Sequence, residues 1–278
     1  MRGAARGTTR ATRVRRLAVL LASWPLASWA AQPLWELGLG VGGLRLPHYR
    51  GSDQSHSLPV PVPYAIYRGT VFRATRDGAK AVLLDNERFD FDLGIGASVP
   101  TNSGDNLARA GMPNLAPTLE LGPNLNLHLA RGPDWKVDLR LPAQAVFSLQ
   151  SQPQALGWTV GPVLNLDLRR GGWNLGAQAG PLWGSRRYHA YYYGVAPAYA
   201  TAGRGVYSAP GGGAGWRWTL GASRRFSDTW VGAFVRGDSV AGAAFEDSPL
   251  VRQRRQLSFG LAMSWVFAVS DERVADPD

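Results

Sequence analysis

From Thr118 to Leu129 the chain reads TLELGPNLNLHL, apolar at every odd position and polar or glycine at nearly every even one. A beat of two belongs to a β-strand, whose successive side chains point to opposite faces, so this stretch has one oily and one wet stripe. The beat recurs over Phe89–Val99, Trp135–Gln150 and Trp158–Arg169. These stretches run roughly 10 to 16 residues, against about five or six in an ordinary soluble sheet. A tilted strand crossing a bilayer needs about 9 to 11. The pattern therefore predicts strands with lipid on one side.

The first 30 residues indicate where the chain goes. Arg2, Arg6, Arg10, Arg13, Arg15 and Arg16 precede an apolar run from Leu17 to Ala30 that ends in Ser28-Trp29-Ala30, the layout of a cleavable signal peptide over 1–30. The run is broken by Pro25 and falls short of the about 20 residues of a spanning helix. Those six arginines have no acid beside them, so the formal charge of +10 drops to 24 basic against 20 acidic residues in the remainder. That balance gives no reason to invoke nucleic acid. With zero cysteines, neither a disulfide framework nor a cysteine metal site is available.

Lipid offers backbone donors no water, so a spanning sheet must close on itself, commonly with an even strand count, short turns on the inner side and longer loops outside. Twelve strands are expected, at about 34–46, 58–67, 69–76, 79–85, 87–99, 115–130, 134–150, 157–169, 172–184, 214–226, 229–241 and 255–267. If the first strand ascends from the periplasm, the tight connections fall on one side, among them Arg68-Gly69, Arg170-Gly171 and Ser227-Asp228. The long ones, 47–57, 100–114, 150–156, 185–213 and 242–254, fall on the other. The expectation is an all-β, closed, antiparallel up-and-down transmembrane barrel over 31–268, followed by a polar periplasmic tail at 269–278.

Residues 58–85 resist this reading. Pro59, Pro61 and Pro63 share one side of an extended chain, so three donors aimed at one neighbour are missing. Either 58–63 is a polyproline-like loop or the barrel has a poorly bonded seam there. If 69–85 is not a short hairpin, the count falls to ten.

The last strand is the clearest marker. Leu257, Phe259, Leu261, Met263, Trp265 and Phe267 share a face, while Ser258, Gly260, Ala262 and Ser264 share the other. Outer-membrane barrels resemble one another in ending on such an aromatic-closed strand, read by their assembly machinery; here Trp265 and Phe267 supply that signal, with a tail beyond it. Trp35, Trp135, Trp158, Trp173, Trp183, Trp216, Trp230 and Trp265 lie near strand ends and are expected to form interfacial girdles.

Several local patterns resemble the MipA/OmpV group of Gram-negative outer-membrane proteins: Tyr49-Arg50-Gly51-Ser52-Asp53, Pro61-Val62-Pro63-Tyr64-Ala65-Ile66-Tyr67-Arg68-Gly69, Tyr192-Tyr193-Gly194-Val195 and Asp247-Ser248-Pro249-Leu250-Val251. The resemblance implies an outer-membrane barrel that works as a scaffold, with a murein lytic transglycosylase and a murein synthase as partners and membrane lipid around it. It implies no catalysis and no cofactor.

The inward polar set should include Glu120, Asn124, Asn126, His128, Lys136, Asp138, Arg140, Gln144, Asn165, Asp167, Arg169, Asn174 and Gln178. About eight strands leave a lumen just filled by side chains and 16 to 18 leave a channel, so twelve lies between. Two fates are open. One is a narrow channel or small-ligand site; the other is a lumen plugged by ion pairs, Asp138 or Asp167 with Arg140 or Arg169.

An enzyme would need a serine beside a histidine base with an orienting partner. The one compact cluster is Ser55-His56-Ser57 with Asp53, expected in the first outer loop, where His56 reads as solvated. No G-x-S-x-G or H-E-x-x-H motif occurs. A metal site at His48, Asp53 and His56 has no spacing rule behind it. In 185–213, Tyr188, Tyr191, Tyr192, Tyr193, Tyr199 and Tyr207 mix with glycines, as a binding lid would or as the upper girdle of an extended strand.

Overall fold

The computed structural model describes residues 32–75 and 78–274. The expected signal segment at 1–30, residues 76–77 and the end of the expected tail lie outside the described residues. Twelve staves form the wall: β1 (Trp35–Pro47), β2 (Ser55–Arg68), β3 (Phe72–Thr75), β4 (Gly78–Asp85), β5 (Phe89–Ala97), β6 (Thr118–Arg131), β7 (Trp135–Ser148), β8 in two pieces (Gln154–Val160 and Val163–Arg170), β9 (Trp173–Gly184), β10 (Gly212–Phe226), β11 (Thr229–Ser239) and β12 (Arg255–Val269). Each pairs antiparallel with the next, and β12 returns to β1 in a ladder from Phe259↔Arg45 to Val269↔Glu36. The sheet is closed, which removes its edges from lipid.

β8 is a single stave with a break. Its two pieces both pair with β7, at Ala143↔Val160 and Val163↔Arg140, and the break falls on Gly161-Pro162, where proline has no N–H to give. Inner turns are as tight as the sequence indicated. Between Arg170 and Trp173, Gly171 and Gly172 both hold positive φ (57° and 80°), the requirement of a two-residue hairpin turn whose twist matches the strands.

The proline stretch resolves in favour of the weak seam. β2 runs straight through Pro59, Pro61 and Pro63, in unbroken register with β1 from Trp35↔Tyr67 to Pro47↔Ser55. β3 and β4 are the short hairpin that makes the count twelve. His56 thereby moves from the expected loop into the start of β2.

β12 crowds the inner face of β1. Gly38, Gly40 and Gly42 alternate on its inner face, and a Cβ at Gly40 would collide with Met263 O and Ser264 Oγ. Without it, Ser264 Oγ of β12 reaches across β1 to the Val62 carbonyl of β2 at 3.4 Å. At the periplasmic end, Gln32–Pro33 pairs with Arg273–Val274.

The outward face is the apolar one. Leu39, Val41, Leu164, Leu220, Leu261 and Met263 are all more than half exposed, a belt that only a hydrocarbon solvent makes favourable. Trp216 and Phe226 stand on the outer face at opposite ends of β10; ten residues at about 3.3 Å each, tilted by about 40°, span about 25 Å, the height of such a belt. At its lower rim Arg224 lies 4.6 Å over the Phe226 ring and 5.8 Å over Trp173. Of the expected girdle residues Trp230 alone is inside, packed on Tyr64 at 5.8 Å.

Candidate functional site

Two structures occupy the barrel's upper half: a roof made from the outer loops and a lumen of two chemistries.

The roof is built on a short helix, α1 (Arg186–Tyr193), within the long segment after β9. Ser185 caps it, accepting from Tyr188 N at 3.3 Å and Trp158 N at 3.1 Å, which ties the helix start to the wall. β9 does not extend through the tyrosines as a girdle; it ends at Gly184, and the tyrosines pack from the helix and the loop that follows. Tyr193 stacks on Phe245 with centroids 3.6 Å apart, His189 meets Phe245 edge-on at 4.6 Å, and Tyr49, Leu115, Val195, Val240 and Leu250 complete a buried cluster drawn from several loops. This is the larger of two buried apolar clusters, and it sits at the loop end of the strands, away from the smaller one at Tyr64, Ile66 and Val266.

Three of the four family-like fragments meet here, while the fourth, Pro61 to Gly69, runs down β2. Tyr49 Oη donates to Leu250 O (2.8 Å), Tyr193 Oη to Arg50 O (3.0 Å), and Ser248 Oγ to Tyr193 O (2.8 Å). Gly51 holds φ of 94° and its carbonyl accepts from both Arg252 N and Gln253 N; its own N–H goes to Gln256 Oε1 (2.8 Å). Ser52 Oγ accepts from Asn106 Nδ2 at 3.0 Å. Gly194 closes α1 by donating to Ala190 O, Val195 bridges to Tyr207, and Pro249 is half-buried. Asp53 alone points to solvent.

Burial dominates the protonation of these groups. It pushes the Tyr49 hydroxyl up to about 12, despite the pull of Arg109, and raises Tyr188, Tyr192 and Tyr193 further, so all four stay neutral donors. His189 is shifted down by burial, against the hydrogen bond of its Nδ1 to Pro210 O (2.7 Å).

Below the roof the lumen is divided lengthwise. On the β4–β9 side it is polar: Asn126 Nδ2 donates to Asp90 (2.6 Å) and Asp92 (3.0 Å), Lys80 lies 3.5 Å from Asp92, and His128 Nδ1 meets Asp138 at 2.9 Å. Arg140 and Lys136 flank Asp167 at 3.5 and 3.8 Å, and Asn165 donates to it at 2.8 Å. Glu120, Asn124, Arg140, Gln144 and Gln178 line a cavity of about 250 Å³. The expected plug is thus present in part. Asp167 takes Arg140 as expected, whereas Asp138 takes His128 instead of an arginine, because the β6–β7 register sets His128 directly opposite it. Arg169 is exposed at the inner end of β8.

The sequence reading missed the pins at either end. Above, Asp238 holds Arg50 (2.7 Å) and Arg217 (2.9 Å); below, Glu36 holds Arg68 (2.7 Å) and Arg225. Asp90 and Asp92 were also missed as inward groups, although they alternate with Phe89 and Phe91 on the rule that found their neighbours. On the opposite side, β1, β2, β11 and β12 line the bore with Leu44, Leu58, Val60, Val62, Tyr64, Ile66, Phe234 and Val266, interspersed with Arg236, Gln256, Ser258 and Ser264.

His48 and His56 stack with centroids 5.1 Å apart, and Asn106 Nδ2 sits 3.0 Å from His48 Nδ1. Burial, helped by His56 nearby, lowers the His48 pKa. His56 Nε2 is buried with no hydrogen-bond partner, so no serine is engaged by that nitrogen. Among the described residues no group of three or more His, Asp or Glu could hold a metal, and Asp53 is exposed.

On β12, Trp265 and Phe267 stand outward in the belt, edge to face at 5.9 Å. Solved outer-membrane barrels are similar in overall shape at low identity. The COG4313 outer membrane channel from Pseudomonas putida F1 has TM-score 0.46 and 15% identity over 87% of this chain and 98% of that one. The CymD monoaromatic hydrocarbon channel has TM-score 0.37 and 10% identity over 86% and 90%, and outer membrane phospholipase A from Escherichia coli 0.33 and 9% over 85% and 94%. Comparison with curated proteins finds no significant match. The family profile described as MltA-interacting protein MipA matches residues 39–267. That match spans most of the chain and joins the roof, the belt and the aromatic-ended last strand in one unit: the protein belongs to the MipA family and is a β-barrel of the bacterial outer membrane.

Proposed function

We propose that this barrel is a non-catalytic, non-conducting scaffold that holds murein-remodelling enzymes at the inner face of the outer membrane. The roof carries the reading. A mouth covered by a packed aromatic and aliphatic core, above a lumen pinned by ion pairs at both ends, is costly to open and suits a protein whose working surface lies elsewhere. The family's description as MltA-interacting supports a murein lytic transglycosylase as one partner, and the resemblance noted above adds a murein synthase.

The periplasmic end offers such partners the tight turns and the chain beyond β12. The ladder to β1 runs through Ala268 and Val269, and Ser270 N donates to Trp35 O, so a truncation that begins at Asp271 spares the barrel ladder and removes the separate pairing of Arg273–Val274 with Gln32–Pro33 together with the tail. Purified protein in planar bilayers is expected to give no steady conductance steps, and immobilised protein to capture a purified murein lytic transglycosylase. Removal of 271–278 should weaken capture while leaving the heat-modifiable gel mobility of the barrel unchanged. Steady ion-selective steps from the intact protein, or no capture by it, would overturn the scaffold reading in favour of a narrow channel.

A further inference from the structure

The wall is not equally tall all the way round. β3 pairs with β2 only at Tyr67 and Arg68, and β4 pairs with β5 only between Lys80 and Asp85. Above that hairpin, β2 from Ser55 to Ile66 and β5 from Ile95 to Ala97 have no strand between them among the described residues. The segment 98–117 closes the top: Thr101 Oγ1 donates to His48 O (2.6 Å), and Leu107 N to Gln54 Oε1 (2.6 Å). The result is a framed window in the barrel wall.

One side of that frame has an unusual edge. Arg68 N donates to Leu34 O beyond the start of β1, and the register is unbroken from there to Ser55, so even-numbered residues of β2 turn their backbone groups toward β1 and odd ones toward the window. The odd positions are Ser57, Pro59, Pro61, Pro63 and Ala65. Three donors are therefore missing and the carbonyls remain. A strand from another protein cannot complete a ladder on such an edge. Bare carbonyls against hydrocarbon are also unfavourable, so this edge keeps water beside it, and the side-chain face of the strand is what remains for an apolar guest.

At the head of the window is a cavity of about 670 Å³ whose lining includes His48, His56, Leu58, Val99, Asn102 and Asn114. Below it the inner face of β2 presents Leu58, Val60, Val62 and Tyr64, seven residues or about 20 Å of strand. At the foot of the window Gly94 of β5, level with Arg68 through the hairpin register, and Gly96 above it add no side chains of their own. Outside, exposed Leu93 and Ile95 at the foot of the opening place it within the lipid belt. The neighbour at that level is a lipid.

We propose that the window is a lateral binding site for a single acyl chain of an outer-leaflet amphiphile. The chain lies along Leu58, Val60 and Val62, and the polar end sits in the upper cavity, where Asn102, Asn114 and the unpartnered His56 Nε2 can bond to it. This site is independent of the scaffold reading.

Titration of the purified barrel, held in amphipol, with 11-(dansylamino)undecanoic acid tests it. Saturable, blue-shifted fluorescence is expected from the unaltered protein and none from dansylamide, which lacks the chain. Leu58→Ser, which shrinks the side chain and cannot clash, should weaken binding about tenfold by removing a buried leucine. Leu39→Ser, on the outward face of β1, should leave it unchanged. Heat-modifiable mobility verifies that both variants are folded; if Leu58→Ser is not, Val60→Thr, nearly the same shape with a hydroxyl, takes its place. No saturable binding, equal binding of dansylamide, or equal effects of the inner and outer substitutions would overturn the proposal.

Discussion

The apolar residues of the roof and those of the belt are chemically alike and energetically opposite. Phe245 and Leu250 are fully buried, while Val41 and Leu261 are about two-thirds exposed. The first set is held by the ordinary hydrophobic effect within the protein; the second is stable only because its solvent is itself apolar. One chain thus carries two cores, one of its own making and one that the bilayer completes.

Substitutions that treat the two alike should separate them. The largest effect is expected from Phe245→Ala, which opens a cavity at the centre of the roof and should cost about 3–5 kcal/mol of its local stability. Trypsin added to intact cells should then cut at Arg186, Arg187 or Arg204 far faster than in the parent. An unchanged cleavage rate would mean that the roof is not a cooperative core. Next is Leu261→Arg, placing a charge in hydrocarbon at about 2–4 kcal/mol, read by urea unfolding from lipid vesicles. The paired control is Val206→Arg, equally exposed but on the roof's surface, and it should change stability by less than about 0.5 kcal/mol. Equal costs at the two sites would erase the distinction between belt and roof.

Tyr49→Phe is a finer probe. It strands the buried Leu250 carbonyl and should cost about 1–3 kcal/mol. A neutral result would show that water reaches that carbonyl. The smallest effect is acid sensitivity of the roof. Burial depresses the His48 and His189 pKa values, so below about 6.5 the unfolded chain takes up protons that the folded one refuses, and stability falls with pH. Above that value neither group contributes a slope. Roof proteolysis should rise at pH 5 and be flat between pH 7 and 8.

The belt was legible in the sequence and the roof was not, for a physical reason. Strands announce themselves by a period, and β5, β6, β7 and β12 keep theirs over nine residues or more. The roof's apolar residues, Tyr49, Leu115, Val195, Val240 and Leu250, come singly from separate loops, and no local pattern records that they meet. α1 has eight residues, with tyrosines all round and Ser185 as its one start signal. Trp230 was misassigned because β11 is apolar on both faces, Trp230 and Phe234 inside against Val231 and Val235 outside. Of the candidate residues, Asn126, His128, Asp138, Arg140 and Asp167 were found by parity alone. Arg50, Asp238 and Glu36 needed the closed ring to bring distant strands together.

The glycine row of β1 has a mechanical consequence. Where Ser264 reaches past Gly40 to the next strand but one, three neighbouring staves are tied together by a side chain as well as by their ladders. The opposite flank of β2 is bound to its other neighbour at Tyr67 and Arg68 alone among the described residues, so the same strand carries the most cross-linked and the least cross-linked joints of the wall.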